Sequence, residues 1–346
     1  MTVALTTAPN STVEIGGWAG RVTLDIIGVA GLGQDFNSIA DPDSDLNRTY
    51  RKLFAPSWMA RIFTIVGFVI PNIIMRNLPL KRNDNVNEAA RIIKRTCHDL
   101  IQAKKQMIEK EDRQFDVDIL SAAIRSGAFT EEGLVNQVMT FMAAGHETTA
   151  AAISYAIYLL CLHPEVQTRL REEVRANLPS IEDAVAAVNS DVFDSKLPYL
   201  QAVTNEALRL HILSPLLLRE AACDTVIADV IIPKGTSVVI PLWAFNRSKE
   251  VWGPDSEKFK PERWLGAGKV NSGGITSNYA FSTFGHGPRN CIGQSFAKGE
   301  FSCILAAIVG RFAMEIENQE IKMVFGGGIL KPEKGLNVKM RIVDGW

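Results

Sequence analysis

Apolar residues recur at helical spacing through most of the chain. The longest such segment, Thr130 to His163, has no proline and is apolar nearly all round, which is typical of a helix through the middle of a large core. The segments Asp45–Leu80, Asn85–Glu109 and Gln294–Phe312 follow amphipathic helical patterns. These patterns predict a mainly α-helical protein, with small β-sheets where alternating residues occur.

The first helix is predicted from a capping box. Ser11-Thr12-Val13-Glu14 places a serine at the cap and a glutamate three residues later, so a helix should open here and run towards Ile27. The glycine-rich run Gly31–Asp35 should end it. The chain therefore begins almost at once with a folded element.

Two β-hairpins are predicted in the second half. Val226–Ile232 and Ser237–Ile240 flank the turn Pro233-Lys234-Gly235-Thr236. A second hairpin should join Ile321–Phe325 to Val338–Ile342 through Gly326-Gly327-Gly328. The triple glycine is not followed by Gly-Lys-Ser/Thr, so a phosphate-binding loop is not supported.

The apolar stretch Ile62–Met75 has two interpretations. It holds Pro71 and Asn72 and is shorter than the roughly 20 residues of a spanning helix, so it should not cross a membrane unaided. It is either a buried core helix or a segment in peripheral contact with a membrane surface. Met1–Asn10 has neither the basic start nor the apolar run of a signal peptide.

Composition narrows the function classes. The 346 residues include 47% hydrophobic residues, which can bury a large core, and the net charge of -1 argues against nucleic acid as a partner. The five cysteines form no Cys-x-x-Cys pair, so neither a disulfide framework nor a zinc cluster is indicated. A reducing, cytosol-facing location fits this cysteine usage.

The loop Phe284–Gly293 carries the clearest candidate chemistry. Three glycines and a proline deliver Cys291 to the start of a helix, whose free N–H groups and dipole favour a thiolate. The glycines let a flat ligand approach the backbone, and Arg289 suits a carboxylate. A lone cysteine in a glycine-rich turn is usually a buried free thiol. Its surroundings here favour a haem-thiolate loop.

The spacing Phe284-x-x-Gly287-x-Arg289-x-Cys291-x-Gly293 resembles the haem-binding signature of the cytochrome P-450 monooxygenases. The resemblance implies that Cys291 is the thiolate ligand of the iron of haem b and that Arg289 pairs with a haem propionate. It also implies that Phe284, Gly285 and Gly293 belong to the cofactor-binding loop.

A second motif interrupts the long apolar helix with Ala144-Gly145-His146-Glu147-Thr148-Thr149. A zinc-protease motif would need a second histidine at position 150, which is Ala150, so zinc is excluded. Alone, the segment could be a kink in which Thr148 bonds back to a carbonyl near Ala144. It resembles the family's oxygen-activation motif, which implies proton delivery by Thr148 and Glu147, with Ala144 and Gly145 against the haem.

Two further matches complete the resemblance. Glu206 and Arg209, three residues apart, match the family's Glu-x-x-Arg motif, and Arg263 is the expected third member of a structural network. Arg219, after the leucine-rich segment Ser214–Leu218, resembles the family's second propionate ligand. The implied fold is that of a cytochrome P-450, as a single catalytic domain over residues 1–346.

The implied activity is insertion of one oxygen atom of O2 into a small apolar organic substrate, in secondary metabolism or xenobiotic oxidation. Electrons would come from an NADPH-dependent cytochrome P-450 reductase, because no flavin or dinucleotide fingerprint is present. The resemblance is to the eukaryotic microsomal type, which implies the cytosolic face of the endoplasmic reticulum membrane.

The front of the chain departs from the family pattern. Trp18-Ala19-Gly20-Arg21 and Trp58-Met59-Ala60-Arg61 do not have the family's Trp-x-x-x-Arg spacing. The expectation is therefore that the N-terminal region and any membrane anchor are missing, which would allow a cytoplasmic protein. Two hypotheses follow: a haem-thiolate monooxygenase, or a truncated, catalytically silent relative that binds haem weakly or only binds partners.

Overall fold

The helical pattern of the sequence is present in a computed structural model, which describes residues 12–55, 66, 81–110, 118–180, 191–277, 279–317, 321–326 and 329–346. The described chain is mainly helical with small antiparallel sheets, so the predicted fold class is confirmed. It divides into two compact units. Unit 1 is Met1–Ser154 with Ile316–Met340, and unit 2 is Tyr155–Glu315 with Arg341–Trp346. The single catalytic domain over residues 1–346 stays a prediction.

Unit 1 contains most of the long helices. Its elements, two of which run past the unit boundary, are β1 (Thr12–Glu14), α1 (Ile15–Ile26), a π-helical turn (Ile27–Leu32), α2 (Asp45–Phe54), α3 (Lys81–Lys110), α4 (Ile119–Ser126), α5 (Glu131–Leu162), β7 (Met323–Gly326), β8 (Ile329–Pro332) and β9 (Asn337–Ile342).

The start of α1 differs from the predicted capping box. Thr12–Glu14 is a strand, and the Glu14 carboxylate itself caps the helix by accepting from the Gly16 and Gly17 N–H groups at 3.0 and 2.6 Å. Ser11 lies outside the described residues. The prediction therefore placed the helix start three residues too early, because Glu14 satisfies the first-turn donors directly. The predicted end is confirmed at Gly33, whose φ of 69° is left-handed.

The other predicted helices of unit 1 are confirmed where they are described. Helix α3 covers the predicted Asn85–Glu109 and buries Ala89, Ile93 and Cys97 on one side. The Cys97 thiol lies 3.6 Å from the Met142 sulfur of α5, within the core. Helix α2 confirms the start of the predicted 45–80 segment. The apolar stretch Ile62–Met75 lies outside the described residues, apart from Val66.

Unit 2 contains three helices that pack against one another, α6, α8 and α11. Its elements are α6 (Pro164–Asn177), α7 (Asp191–Ser195), α8 (Pro198–Leu210), β2 (Leu217–Glu220), β3 (Thr225–Ile227), β4 (Val230–Ile232), β5 (Ser237–Ile240), α9 (Leu242–Phe245), α10 (Lys249–Trp252), 3₁₀ turns at Pro261–Trp264 and Gly287–Arg289, α11 (Gln294–Arg311) and β6 (Phe312–Ile316). Helices α6 and α8 both pack on α11.

Strands are present in both predicted hairpin regions, but both predicted pairings are wrong. In the first region β3 pairs with β4, and β5 pairs instead with β2. Ala228 and Asp229 take left-handed φ values of 46° and 64°, which close a two-residue turn, so the chain reverses before Pro233 is reached. In the second region β7 pairs with β8 across the glycine run. The predicted partner, β9, pairs with β1.

No single helix in the described part of the chain is long and apolar enough to cross a membrane. The pair α5 and α6 meets the criteria of length and composition only when taken together, and it is bent by 113°.

Candidate active site

The loop Phe284–Gly293 in unit 2 presents Cys291 immediately before α11. The backbone N–H of Cys291 donates to the Phe284 carbonyl oxygen at 2.8 Å, which closes the loop on itself. Gly293 is the N-cap of α11, so the predicted loop-to-helix junction is confirmed. The Cys291 thiol is free and exposed, which rules out the buried free thiol as the interpretation of this cysteine.

Two glycines of this loop have backbone conformations that other residues rarely adopt. Gly285 and Gly287 have φ values of 70° and 77°. A Cβ added at Gly287 or Gly293 would meet no described atom within 4 Å. The loop surface beside Cys291 is therefore open to an approaching ligand.

The two arginines predicted to bind carboxylates are both in unit 2 and both exposed. Arg289 ends the 3₁₀ turn that precedes Cys291. Arg219 lies on β2, where its guanidinium donates to the Leu218 carbonyl at 2.9 Å. The Leu217 side chain of the same strand lies 3.9 Å from a Cβ added at Gly285, so β2 begins beside the cysteine loop.

Two aromatic rings and a lysine of α11 lie together at the start of the cysteine loop. Phe281 and Phe284 meet edge to face at 6.5 Å, and the Lys298 ammonium of α11 lies 5.6 and 5.9 Å from the two ring centres. Burial lowers the pKa of Lys298, since desolvation disfavours its charged form. Lys298 was not predicted as a site residue, although its position seven residues after Cys291 on a helix could have indicated it.

The predicted structural network of unit 2 is present, and the Glu206 and Arg209 side chains at its centre are fully buried. The Glu206 carboxylate accepts two bonds from Arg209 at 2.8 Å, one from Arg263 Nε at 2.9 Å and one from Trp264 Nε1 at 2.8 Å. A fifth donor, the Lys260 N–H, lies at 3.0 Å. Trp264 and Lys260 were not predicted as members. The network anchors the 3₁₀ turn Pro261–Trp264 to α8.

In unit 1, the second motif lies within α5, which is helical throughout the segment. The Thr148 hydroxyl donates to the Ala144 carbonyl at 2.7 Å, which confirms the predicted back-bond, but no break opens the helix. A Cβ added at Gly145 would lie 3.0 Å from Ile27 Cγ1. The glycine therefore permits close packing against the π-helical turn, a role that its sequence position did not reveal.

Glu147 and His146 are held by neighbours within unit 1. The Glu147 carboxylate pairs with the Lys331 ammonium of β8 at 2.8 Å. His146 is buried against the rings of Tyr50 and Phe54, and its Nδ1 lies 2.6 Å from the Met142 carbonyl oxygen. Burial lowers the pKa of His146 because the charged ring would lose its hydration. No three His, Cys, Asp or Glu side chains in the described ranges gather as a metal site.

Ala144, Glu147 and Thr148 line a cavity of about 470 Å³ in unit 1. The rest of its lining is mostly apolar and includes Phe54, Met139, Ala143 and Ile329. The four predicted residues of α5 thus lie on one short segment of helix, three of them at the wall of this cavity. Their predicted catalytic and haem-contacting roles stay predictions.

A family model described as Cytochrome P450 matches residues 2–340 of the chain. The chain belongs to the cytochrome P450 family. It is similar to the cytochrome P450 monooxygenase sphH of Aspergillus fumigatus, with 45% identity over 97% of the chain and 63% of that protein. It is also similar to ALT8 of Alternaria alternata, at 39% identity over 97% and 63%, and to FUM15 of Gibberella moniliformis, at 38% over 91% and 60%.

The P450 chain thus spans less than two thirds of the length of these fungal relatives, each of which is named as a cytochrome P450 monooxygenase. Membership of the family implies haem with a cysteine thiolate as its axial ligand. The residues present in unit 2 fit this group. Cys291 offers an exposed sulfur, Gly287 and Gly293 leave the adjacent surface open, and two exposed arginines suit the propionates.

Proposed function

We propose that this P450 is a haem-thiolate monooxygenase that inserts one oxygen atom of O2 into a small apolar organic substrate. The observation that carries the proposal is the exposed Cys291 thiol at the head of α11, in a loop whose glycines leave room for a flat cofactor. Three relatives of 38–45% identity named as P450 monooxygenases support it.

Cys291, Arg289 and Arg219 are the residues that would hold the cofactor. The Cys291 sulfur would be the axial ligand, and the two guanidinium groups would pair with the propionates. When bound, haem with a thiolate ligand supplies the oxygen activation, because the thiolate donates electron density that favours cleavage of the O–O bond.

Thr148 and Glu147 are the proposed proton-delivering residues. Thr148 is only partly buried and lies with Glu147 at the wall of the 470 Å³ cavity, so both can face a ligand there. The Thr148 hydroxyl donates a hydrogen bond to the Ala144 carbonyl oxygen. The lone pairs of the Thr148 oxygen are therefore free to accept a hydrogen bond from a neighbouring group. Orientation and exclusion of water are the other contributions expected of the protein.

The cavity also supports the proposed substrate class. Its lining by Phe54, Met139, Ala143 and Ile329 suits a ligand that is mainly hydrocarbon, with few polar groups. The relatives' names do not state a substrate, and a place in secondary metabolism or xenobiotic oxidation is proposed from the family resemblance alone. Electrons are proposed to come from an NADPH-dependent reductase, at the cytosolic face of the endoplasmic reticulum.

The test is the carbon monoxide difference spectrum of the reduced protein after supplementation with haem. We expect a strongly red-shifted Soret band in the parent and its loss in Cys291→Ala. Cys223→Ala is the matched control, because Cys223 is another exposed free cysteine of unit 2 and should leave the band unchanged. A band that survives in Cys291→Ala, or no haem uptake by the parent, would overturn the proposal and favour a silent, partner-binding relative.

A further inference from the structure

The carboxylate of Glu147 has two polar neighbours within unit 1. Lys331 Nζ lies 2.8 Å from one carboxylate oxygen, and His146 Nε2 lies 4.0 Å from the other. The Lys331 and Glu147 side chains are only 16% and 18% exposed, so water competes little for this ion pair.

The state of His146 follows from its own hydrogen bond. The Met142 carbonyl at 2.6 Å can only accept, so Nδ1 carries the proton and Nε2, which faces Glu147, has a lone pair when the ring is neutral. Burial favours that neutral ring. Because His146 is neutral, Lys331 is the one of these two neighbours that brings a positive charge to Glu147.

Lys331 is itself held in place by the β7–β8 hairpin. It stands opposite Val324 in the antiparallel pairing of the two strands. Its ammonium also lies 6.0 Å from the centre of the Phe54 ring. The position of the charge is thus set by backbone pairing on one strand and by its contact with α5.

Glu147 lies at the wall between two cavities of unit 1. Together with Phe54, it lines both the 470 Å³ cavity and a larger one of about 590 Å³. The larger cavity has a mainly apolar lining that also carries charged side chains, namely Lys331, Glu14, Arg21, Arg51 and Glu333. Thr148 lines the smaller cavity, which has fewer charged groups. Charged groups at a cavity wall can hold water, and apolar groups suit the substrate.

We propose that Lys331 is a positioning residue, which holds the Glu147 carboxylate between the larger and the smaller cavity. A proton from bulk solvent, relayed through water in the larger cavity, adds to a carboxylate oxygen of Glu147. Glu147 then passes a proton to the Thr148 hydroxyl oxygen while that hydroxyl gives its own proton to the ligand in the smaller cavity, so Glu147, Thr148 and Lys331 end unchanged. The inference rests on the proposed function, since it assigns the proton supply of that reaction.

The first test measures the contact without any turnover. Hydrogen–deuterium exchange of the β7–β8 amides is compared in the parent, Lys331→Met, Glu147→Gln and the double variant. We expect each single change to raise exchange of the hairpin about tenfold, as for loss of a charge-assisted hydrogen bond that restrains a local opening. The double variant should exchange no faster than either single one, because both remove the same interaction.

Lys322→Met is the matched control for this test. Lys322 precedes β7, is 73% exposed, and pairs with Glu333 at 3.5 Å, so its removal deletes a surface pair at the same hairpin. Exchange in this variant should match the parent. If Lys331→Met also matches the parent, or if its effect adds to that of Glu147→Gln, the positioning role is wrong.

The second test separates positioning from folding. The haem-supplemented protein is given NADPH and a P450 reductase, and hydrogen peroxide released per NADPH oxidised is measured. Peroxide needs two electrons and two protons, and it escapes when the next proton is poorly placed. We expect Lys331→Met and Glu147→Gln to raise this ratio several-fold with an unchanged carbon monoxide band, and Lys331→Arg to restore it.

An unchanged peroxide ratio in Lys331→Met, with the band intact, would overturn the inference. Failure of the proposed function has a different signature, because the parent would then lack the red-shifted band. In that case the exchange experiment still decides whether Lys331 holds Glu147, and the proton-supply role falls with the function.

Discussion

Removing the Glu206 carboxylate should destabilise unit 2 more than removing a surface carboxylate close to it. Glu206 and Arg209 both have side chains that are 0% exposed, and they share a bidentate pair with N–O distances of 2.8 Å. In Glu206→Ala the Arg209 charge stays buried without its carboxylate. Breaking one partner of a buried pair costs about 3–5 kcal/mol of folding free energy.

The other donors to Glu206 support the upper part of that range. Arg263, Trp264 and the Lys260 N–H each lose an acceptor, and an unsatisfied buried donor costs about 1–3 kcal/mol. These costs do not add fully, because Arg209 keeps its bonds to the Asn246 and Ser256 carbonyls and Arg263 keeps Asp255. We therefore expect a loss of about 4–5 kcal/mol in the free energy of unfolding.

The assay is guanidinium unfolding followed by circular dichroism, with Glu262→Ala as the matched control. Glu262 lies one residue before Arg263, and its carboxylate pairs with Arg169 at the same distance of 2.8 Å. Those two side chains are 44% and 52% exposed, so their pair should contribute less than about 1 kcal/mol. Trp264→Phe should fall between the two variants, since it removes one of five donors. Equal losses in Glu206→Ala and Glu262→Ala would refute the reasoning.

Two further predictions concern helix α11 and acid stability. Gly310→Ala should destabilise the protein by about 1–3 kcal/mol, since its Cβ would overlap the Trp346 ring. Gly299→Ala on the same helix should stabilise it by up to about 1 kcal/mol, because no described atom lies within 4 Å of the added Cβ. Thermal unfolding of both variants tests this, and equal shifts in melting temperature would contradict it. Burial, with the Arg247 charge, lowers the pKa of His211 to about 4, below its unfolded value of about 6.5. Its neutral form therefore contributes stability fully above about pH 6.5, and that contribution, at most about 3 kcal/mol, is lost as the pH falls towards 4. His211→Phe should keep the stacking on Tyr155 and flatten the dependence of unfolding free energy on pH over this range; an unchanged slope would contradict the assignment.

Elements fixed by local chemistry were predictable from the sequence. Helices α3 and α11 follow the helical spacing of their apolar residues, and α5 follows a long apolar run without proline. The cysteine loop was predictable because its left-handed backbone conformations require glycine. The Glu206 network was predictable in part, since Glu206 and Arg209 are neighbours on one helix face. Arg263 came from family resemblance, and Trp264 Nε1 carried no signal, because its partner is 58 residues away in sequence.

The pairing of the strands was less predictable than the strands themselves, and Lys331 of the candidate site is an example of the consequence. The sequence indicates strands at β5, β7 and β9, but their partners depend on where the chain reverses, and Ala228-Asp229 has no glycine to mark the first turn. The same limit hid Lys331. In the sequence, Lys331 has no feature that distinguishes it from a surface lysine. It contacts Glu147, 184 residues away in sequence, because β8 pairs with β7. The motif of α5 thus identifies the proposed proton donor, whereas the charge that fixes its carboxylate comes from a strand that carries no motif.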